Sequence, residues 1–320
     1  MQTGSPAPCP PSSSGATSSP SSFPSSAPTA PPASLSVSAA GPSIDPAAPA
    51  KIAFIGGGNM ASALIGGLVQ SGTPAASIVV VEPVPEQRHA LLTRFGVQAQ
   101  ASAAEAAAAL GDASIVVWAV KPQLFQDAAR PCASFVSQAL QLSVMAGLRC
   151  AAIEAAAGTG RIVRGMPNTP ALIGQGVAGL YARAEVTLQE RSRVEQLFAP
   201  TGRSVWVPDE ADLDAVTALS GSGPAYGFYL IEAMVDAAVR MGLPEAQGRE
   251  MAIQTLLGAA LLAQQSSLSP AELRAQVTSK GGTTHAAISS MEADGVKEEI
   301  VRALLAAQAR ARELGDAFGA

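Results

Sequence analysis

The chain has 320 residues, 48% of them hydrophobic and only 4% aromatic, with a formal net charge of -5. That length is ample for a sizeable core built from Ala, Val, Leu and Ile, and the mild acidity excludes a nucleic-acid binder, which needs a basic surface to displace counterions. No run of 18 or more apolar residues marks a membrane span, and Cys9, Cys132, Cys150, His89 and His285 have neither metal-ligand nor disulfide spacing, which points to a reducing cytoplasm and no bound metal.

Residues 1–48 are Ser, Pro and Ala with one charge, Asp45. Such a segment buries too little apolar surface to offset its ordering entropy, so a disordered tail outside the fold is expected. It has neither the basic start and apolar stretch of a signal peptide nor the arginines of a transit peptide.

From Lys51 the texture changes. The apolar runs Lys51–Ile55, Ile78–Glu82, Ile115–Val120, Leu140–Val144 and Arg161–Met166, and a stretch around Val177, alternate with helical patterns such as Glu86–Phe95. That alternation predicts an α/β fold, a parallel sheet with helices on both faces, over residues 49–208. After about residue 209 the strands stop, and 224–241, 244–265, 270–277, 283–293 and 296–317 read as helices, three of them opening on proline. An all-helical domain is therefore predicted over 209–320, and no repeat is found.

Gly56-Gly57-Gly58-Asn59-Met60-Ala61 fits G-x-G-x-x-[GA] directly after a strand and at the opening of a helix. Glycines there allow the tight turn and let backbone N–H groups approach a pyrophosphate. Glu82 closes the next strand about 20 residues beyond the loop, where an acid binds a ribose 2′-OH and repels a 2′-phosphate, a vote for NAD over NADP. Arg88 leaves the vote open, since it is placed either to reach a 2′-phosphate or to be a solvated helix charge.

Ala119-Val120-Lys121-Pro122 closes a strand at its carboxyl end, where open α/β sheets hold ligands. Met166-Pro167-Asn168-Thr169-Pro170-Ala171 leaves another strand as an extended loop, expected to be a wall of the cleft. Ser220-Gly221-Ser222-Gly223-Pro224-Ala225-Tyr226 precedes a long helix, its small residues suiting either an anion or a close helix crossing. Val277-Thr278-Ser279-Lys280-Gly281-Gly282-Thr283-Thr284 opens another helix and bunches hydroxyls, two glycines and a cation. A simple N-cap needs one Ser or Thr, and the surplus suits a carboxylate cradle.

In this order, from Lys51 to the C-terminus, these five motifs resemble the pyrroline-5-carboxylate reductases. The resemblance implies a Rossmann domain, a helical dimerisation domain, dimers that often build decamers, and the last step of proline synthesis, usually with NADPH. By position it implies that Gly56, Gly58, Asn59, Met60 and Ala61 bind the phosphates of NADP(H) or NAD(H), with Glu82 at the ribose. Ala119, Val120, Lys121 and Pro122 would line the nicotinamide side. Ser279, Gly282, Thr283 and Thr284 would hold the substrate, with the Thr284 hydroxyl at its nitrogen. Two positions depart from the family pattern. Lys280 stands where proline is usual, and Glu82 where a small polar residue is common.

A β-hydroxyacid dehydrogenase would need a lysine on the first long helix of its second domain, and residues 222–265 contain none. A nucleotide sensor would keep the Gly56 loop without needing the Ser279–Thr284 loop. Ala-rich stretches such as Ile253–Ala263 carry more apolar surface than one helical domain would hide, which predicts a homodimer.

Overall fold

A computed structural model describes residues 51–318, so the reading of 1–48 lies outside the described residues. Residues 51–206 build an eight-stranded sheet. Its strands are β1 (Lys51–Ile55), β2 (Ile78–Val81), β3 (Ala99–Gln100), β4 (Ala113–Trp118), β5 (Leu140–Ser143), β6 (Ile162–Met166), β7 (Gly176–Ala182) and β8 (Gly202–Trp206). Between them run α1 (Asn59–Gln70), α2 (Pro85–Phe95), α3 (Ala107–Gly111), α4 (Phe125–Ala129), α5 (Ala133–Val136), α6 (Cys150–Ala157) and α7 (Leu188–Phe198).

The order β3-β2-β1-β4-β5-β6-β7-β8 reverses direction between β1 and β4. In an open α/β sheet the crevice at that reversal receives the ligand. Strands bear apolar side chains on both faces because helices cover both. Ala53, Ile55, Val116 and Trp118 face one core with Phe125 and Ile153. Phe54, Val80, Val117 and Leu142 face the other with Leu64, Ile65 and Phe198. Trp118 meets Phe125 edge to face at 5.2 Å, and its indole N–H donates to the buried Gln141 Oε1 at 2.9 Å. Helix α1 buries Ala61, Leu64, Ile65 and Leu68, the i, i+3, i+4, i+7 stripe of a core-facing helix.

The sheet departs from the sequence reading in three ways. The pairing of β6 with β7 is antiparallel, because the chain between them makes only a short 3-10 turn, Thr169–Ile173, and a parallel return needs a crossover. Strand β4 ends at Trp118, two residues before the expected Val120. The short β3 and the edge strand β8 were not foreseen, since two residues carry no period and β8 is nowhere buried.

Beyond β8 every element is helical: α8 (Asp212–Val216), a π-turn at Thr217–Gly221, α9 (Gly223–Arg240), α10 (Glu245–Gln265), α11 (Pro270–Gln276), α12 (Thr283–Ala293) and α13 (Val296–Phe318). Gly242, just past α9, has φ 89°, a left-handed turn that favours glycine. Ion pairs tie this half to the sheet. Arg149 grips the buried Asp214 through both guanidinium nitrogens at 3.2 and 2.9 Å, and a Cβ on Gly315 of α13 would lie 2.5 Å from that guanidinium. The buried Arg164 of β6 donates to Glu210 Oε1 at 2.8 Å, and the same oxygen accepts the Cys150 N–H at the start of α6 at 2.7 Å.

Candidate functional site

Three of the sequence-predicted segments meet at the reversal of strand order. Gly56 follows β1 with φ 100°, and an added Cβ would sit 2.7 Å from the Ala119 carbonyl oxygen and 3.0 Å from Val120 Cγ1. Glycine is therefore required both by the backbone and by the approach of the segment after β4. At Gly57 a Cβ would strike Leu91 Cδ1 at 2.8 Å and press on Glu82 Cγ at 3.2 Å. At Gly58 it would meet nothing among the described residues within 4 Å. Gly58 is also the N-cap of α1, and no side chain caps that helix. The first turn, with Asn59 exposed, Met60 half-buried and Ala61 buried behind them, leaves its N–H groups without a side-chain cap at the positive end of a 12-residue helix, a cradle that fits a dinucleotide pyrophosphate.

Glu82, the residue after β2, turns its carboxylate into this loop. Its Oε2 accepts the Gly57 N–H at 2.7 Å and its Oε1 the Val84 N–H at 2.8 Å. Lys121 is exposed at the start of a short 3-10 turn, Pro122–Leu124, beside the half-buried Ala119 and Val120.

The loop after β6 meets the start of the helical half. Asn168, largely buried, donates from Nδ2 to the Ser220 carbonyl at 3.2 Å and accepts the Val177 N–H at Oδ1 at 3.0 Å. A Cβ on Gly221 would lie 2.5 Å from Met166 Cε, and Tyr226 Oη closes the π-turn by donating to the Ala218 carbonyl at 3.1 Å. Gly221 is thus packed closely against β6, an approach that a larger residue would block. Asn168 as the clasp was missed from the sequence; a lone amide between two prolines was the available signal. Asn168→Ala leaves two backbone groups without partners, and the expected loss is about 2–4 kcal/mol of stability, measured by urea unfolding.

The Ser279–Thr284 loop is not brought to the cofactor end within one chain. Among the described residues its hydrogen bonds are local, Gly282 N–H to the Ser279 carbonyl at 3.0 Å being one, and the only substantial helix packing of α12 is on α13. Gly281 has φ 76°, the Ser279 hydroxyl folds over Gly282 so that a Cβ there would lie 2.7 Å from it, and Gly282 caps α12 without a side-chain bond. Ser279 and Thr283 are exposed and Thr284 half-buried. Large apolar side chains of the same half face outward, Phe228, Tyr229 and Leu262 each more than 60% exposed. A surface of that extent calls for a partner.

A family described as pyrroline-5-carboxylate reductase dimerisation matches residues 210–314, and one described as NADP oxidoreductase, coenzyme F420-dependent, matches residues 51–147. A pyrroline-5-carboxylate reductase of Pseudomonas aeruginosa is 46% identical over 271 residues, 84% of this chain and 98% of that one. The chain belongs to the pyrroline-5-carboxylate reductase family. Two solved members agree in fold. The Coxiella burnetii reductase superposes with a TM-score of 0.78 at 35% identity, covering 83% of this chain and 98% of that one. The Plasmodium falciparum enzyme, solved with NADP bound, gives 0.74 at 27% identity with the same coverage. Membership makes the chain an NAD(P)-dependent oxidoreductase, and its helical half is the family's dimerisation region, so the chain self-associates.

Proposed function

We infer that the protein reduces the C=N bond of 1-pyrroline-5-carboxylate to L-proline, using NADPH or NADH. The observation that carries this is the meeting of Gly56 with Ala119 and Val120 at the reversal of strand order, in a chain of this family. When bound, the dinucleotide supplies a hydride from C4 of its dihydronicotinamide to the imine carbon, and the nitrogen takes up a proton. The chain's own work is positioning, which can supply much of the rate enhancement. Gly56, Gly58, Asn59, Met60 and Ala61 hold the phosphates, and Ala119, Val120, Lys121 and Pro122 flank the nicotinamide. Ser279, Gly282 and Thr283 anchor the carboxylate, and the Thr284 hydroxyl bonds the ring nitrogen. The rival β-hydroxyacid dehydrogenase still lacks its lysine over 222–265.

The sheet domain over 49–208 carries the cofactor, and the helical domain over 209–320 carries substrate and self-association. Because the Ser279–Thr284 loop stands on helices with exposed apolar faces, the dimer completes the site, each protomer closing its loop over its partner's cofactor end. Dimers assemble further into decamers, which light scattering distinguishes. The protein works in the cytoplasm without nucleic acid or membrane; among the described residues no helix is long and apolar enough to cross one.

The test is proline formation from pyrroline-5-carboxylate by purified protein, assayed with NADH and NADPH in parallel. Thr284→Ala is expected to lower kcat/KM about tenfold or more, the worth of one hydrogen bond to a charged group. Unchanged turnover and substrate affinity would remove Thr284 from the site, and no turnover with either cofactor would remove the reaction.

A further inference from the structure

We propose that Glu82 makes this chain selective for NADH over NADPH, an inference that rests on reading the chain as a dinucleotide-dependent reductase. Glu82 is 7% exposed and its carboxylate is fixed from two sides, by the Gly57 N–H at 2.7 Å and the Val84 N–H at 2.8 Å. Its backbone is fixed as well, the Glu82 N–H donating to the Gln100 carbonyl at 2.9 Å, and its aliphatic stem lies against Gly57. An acid held at the end of the second strand, against the glycine loop, is placed to accept hydrogen bonds from a ribose 2′-OH.

The same placement works against a 2′-phosphate in two ways. A dianion brought beside a buried carboxylate meets like charge in a region of low dielectric. The carboxylate also already occupies two backbone N–H groups that a phosphate would otherwise use. The nearest cation does not offset this. Arg88 Nη1 donates to the carbonyl oxygens of Glu82 at 2.9 Å and Pro83 at 2.7 Å. The guanidinium is thus folded back on the backbone that follows β2, and reaching a phosphate would cost it both bonds. The next ring on α2, His89, pairs with Thr93 at 3.4 Å. Charge and hydrogen-bond inventory point the same way, although the Plasmodium relative was solved with NADP.

The experiment measures equilibrium binding of NAD+ and NADP+ to the full chain by calorimetry, beside kcat/KM with NADH and NADPH. Wild type is expected to favour the unphosphorylated cofactor by at least about tenfold in both. Glu82→Gln, which keeps the shape and removes the charge, is expected to cut that ratio severalfold. Glu82→Ser, which also frees the Gly57 and Val84 N–H groups, is expected to bring it to parity or reverse it. Wild type that binds NADP+ as tightly as NAD+, or a ratio unmoved by Glu82→Gln, overturns the proposal and leaves the reductase intact. Selective binding without turnover would instead overturn the reaction and leave this assignment standing.

Discussion

Dimers formed by co-expressing a Gly58→Asp chain with a Thr284→Ala chain are expected to show about one quarter of wild-type activity, although Gly58→Asp alone is inactive and Thr284→Ala alone retains about a tenth or less. Random pairing makes half the dimers mixed, and a site built from one chain's cofactor loop and the other's substrate loop is then intact at one of two positions. Sites confined to single chains would each carry one defect, so the mixture would show only the residual Thr284→Ala rate. The Gly58→Asp chain should fold normally, because Gly58 is an N-cap with extended backbone and open space at its Cβ, and aspartate is a favoured N-cap. It should not bind the dinucleotide, because the new carboxylate stands where the pyrophosphate belongs. The measurement is proline formation by the purified mixture, normalised to total dimer.

Removing the Glu210 carboxylate is expected to cause the largest loss of stability. In Glu210→Ala the Arg164 guanidinium stays buried without its partner, its Nε already lacking one, and the Cys150 N–H loses its acceptor. Breaking a buried pair from one side costs about 3 kcal/mol or more, which for a chain this size lowers Tm by about 10 °C, read at equal protein concentration because dimers are linked to folding. Adding Arg164→Met should restore part of the loss by removing the stranded charge. Burial alone would raise the Glu210 carboxyl, but the Cys150 N–H and Arg164 outweigh it and hold the carboxyl below its usual range. Its folded value is depressed, so its contribution is complete above the unfolded carboxylate value near ~4.3 and disappears as pH falls through the folded one. The stability gap between wild type and Glu210→Ala should therefore be widest near neutrality and narrow in acid, as urea unfolding across pH would register.

Much of the molecule was legible in the chain itself. Short apolar runs alternating with helical stretches announced β1, β2, β4, β5 and β6, because strands covered on both faces need apolar residues without alternation. Proline at the head marked the helices α9 to α11 closely, and glycine at the tail marked α9, since those residues answer to local backbone rules. The loop Gly56–Ala61 and the acid Glu82 were readable as a pair because their spacing follows from one β-α-β unit. What the sequence could not carry was contact between segments far apart in the chain. That Asn168 clasps Ser220, that Arg164 and the Cys150 N–H share the Glu210 Oε1, and that Arg88 turns back on the Glu82 and Pro83 carbonyls depend on where the fold brings each side chain. Nor could it show that the Ser279–Thr284 loop lies away from its own chain's cofactor end, because helix packing, not local propensity, sets where α12 stands. The direction of β7 belongs with these, since a strand's own residues look the same whether its neighbour runs parallel or antiparallel.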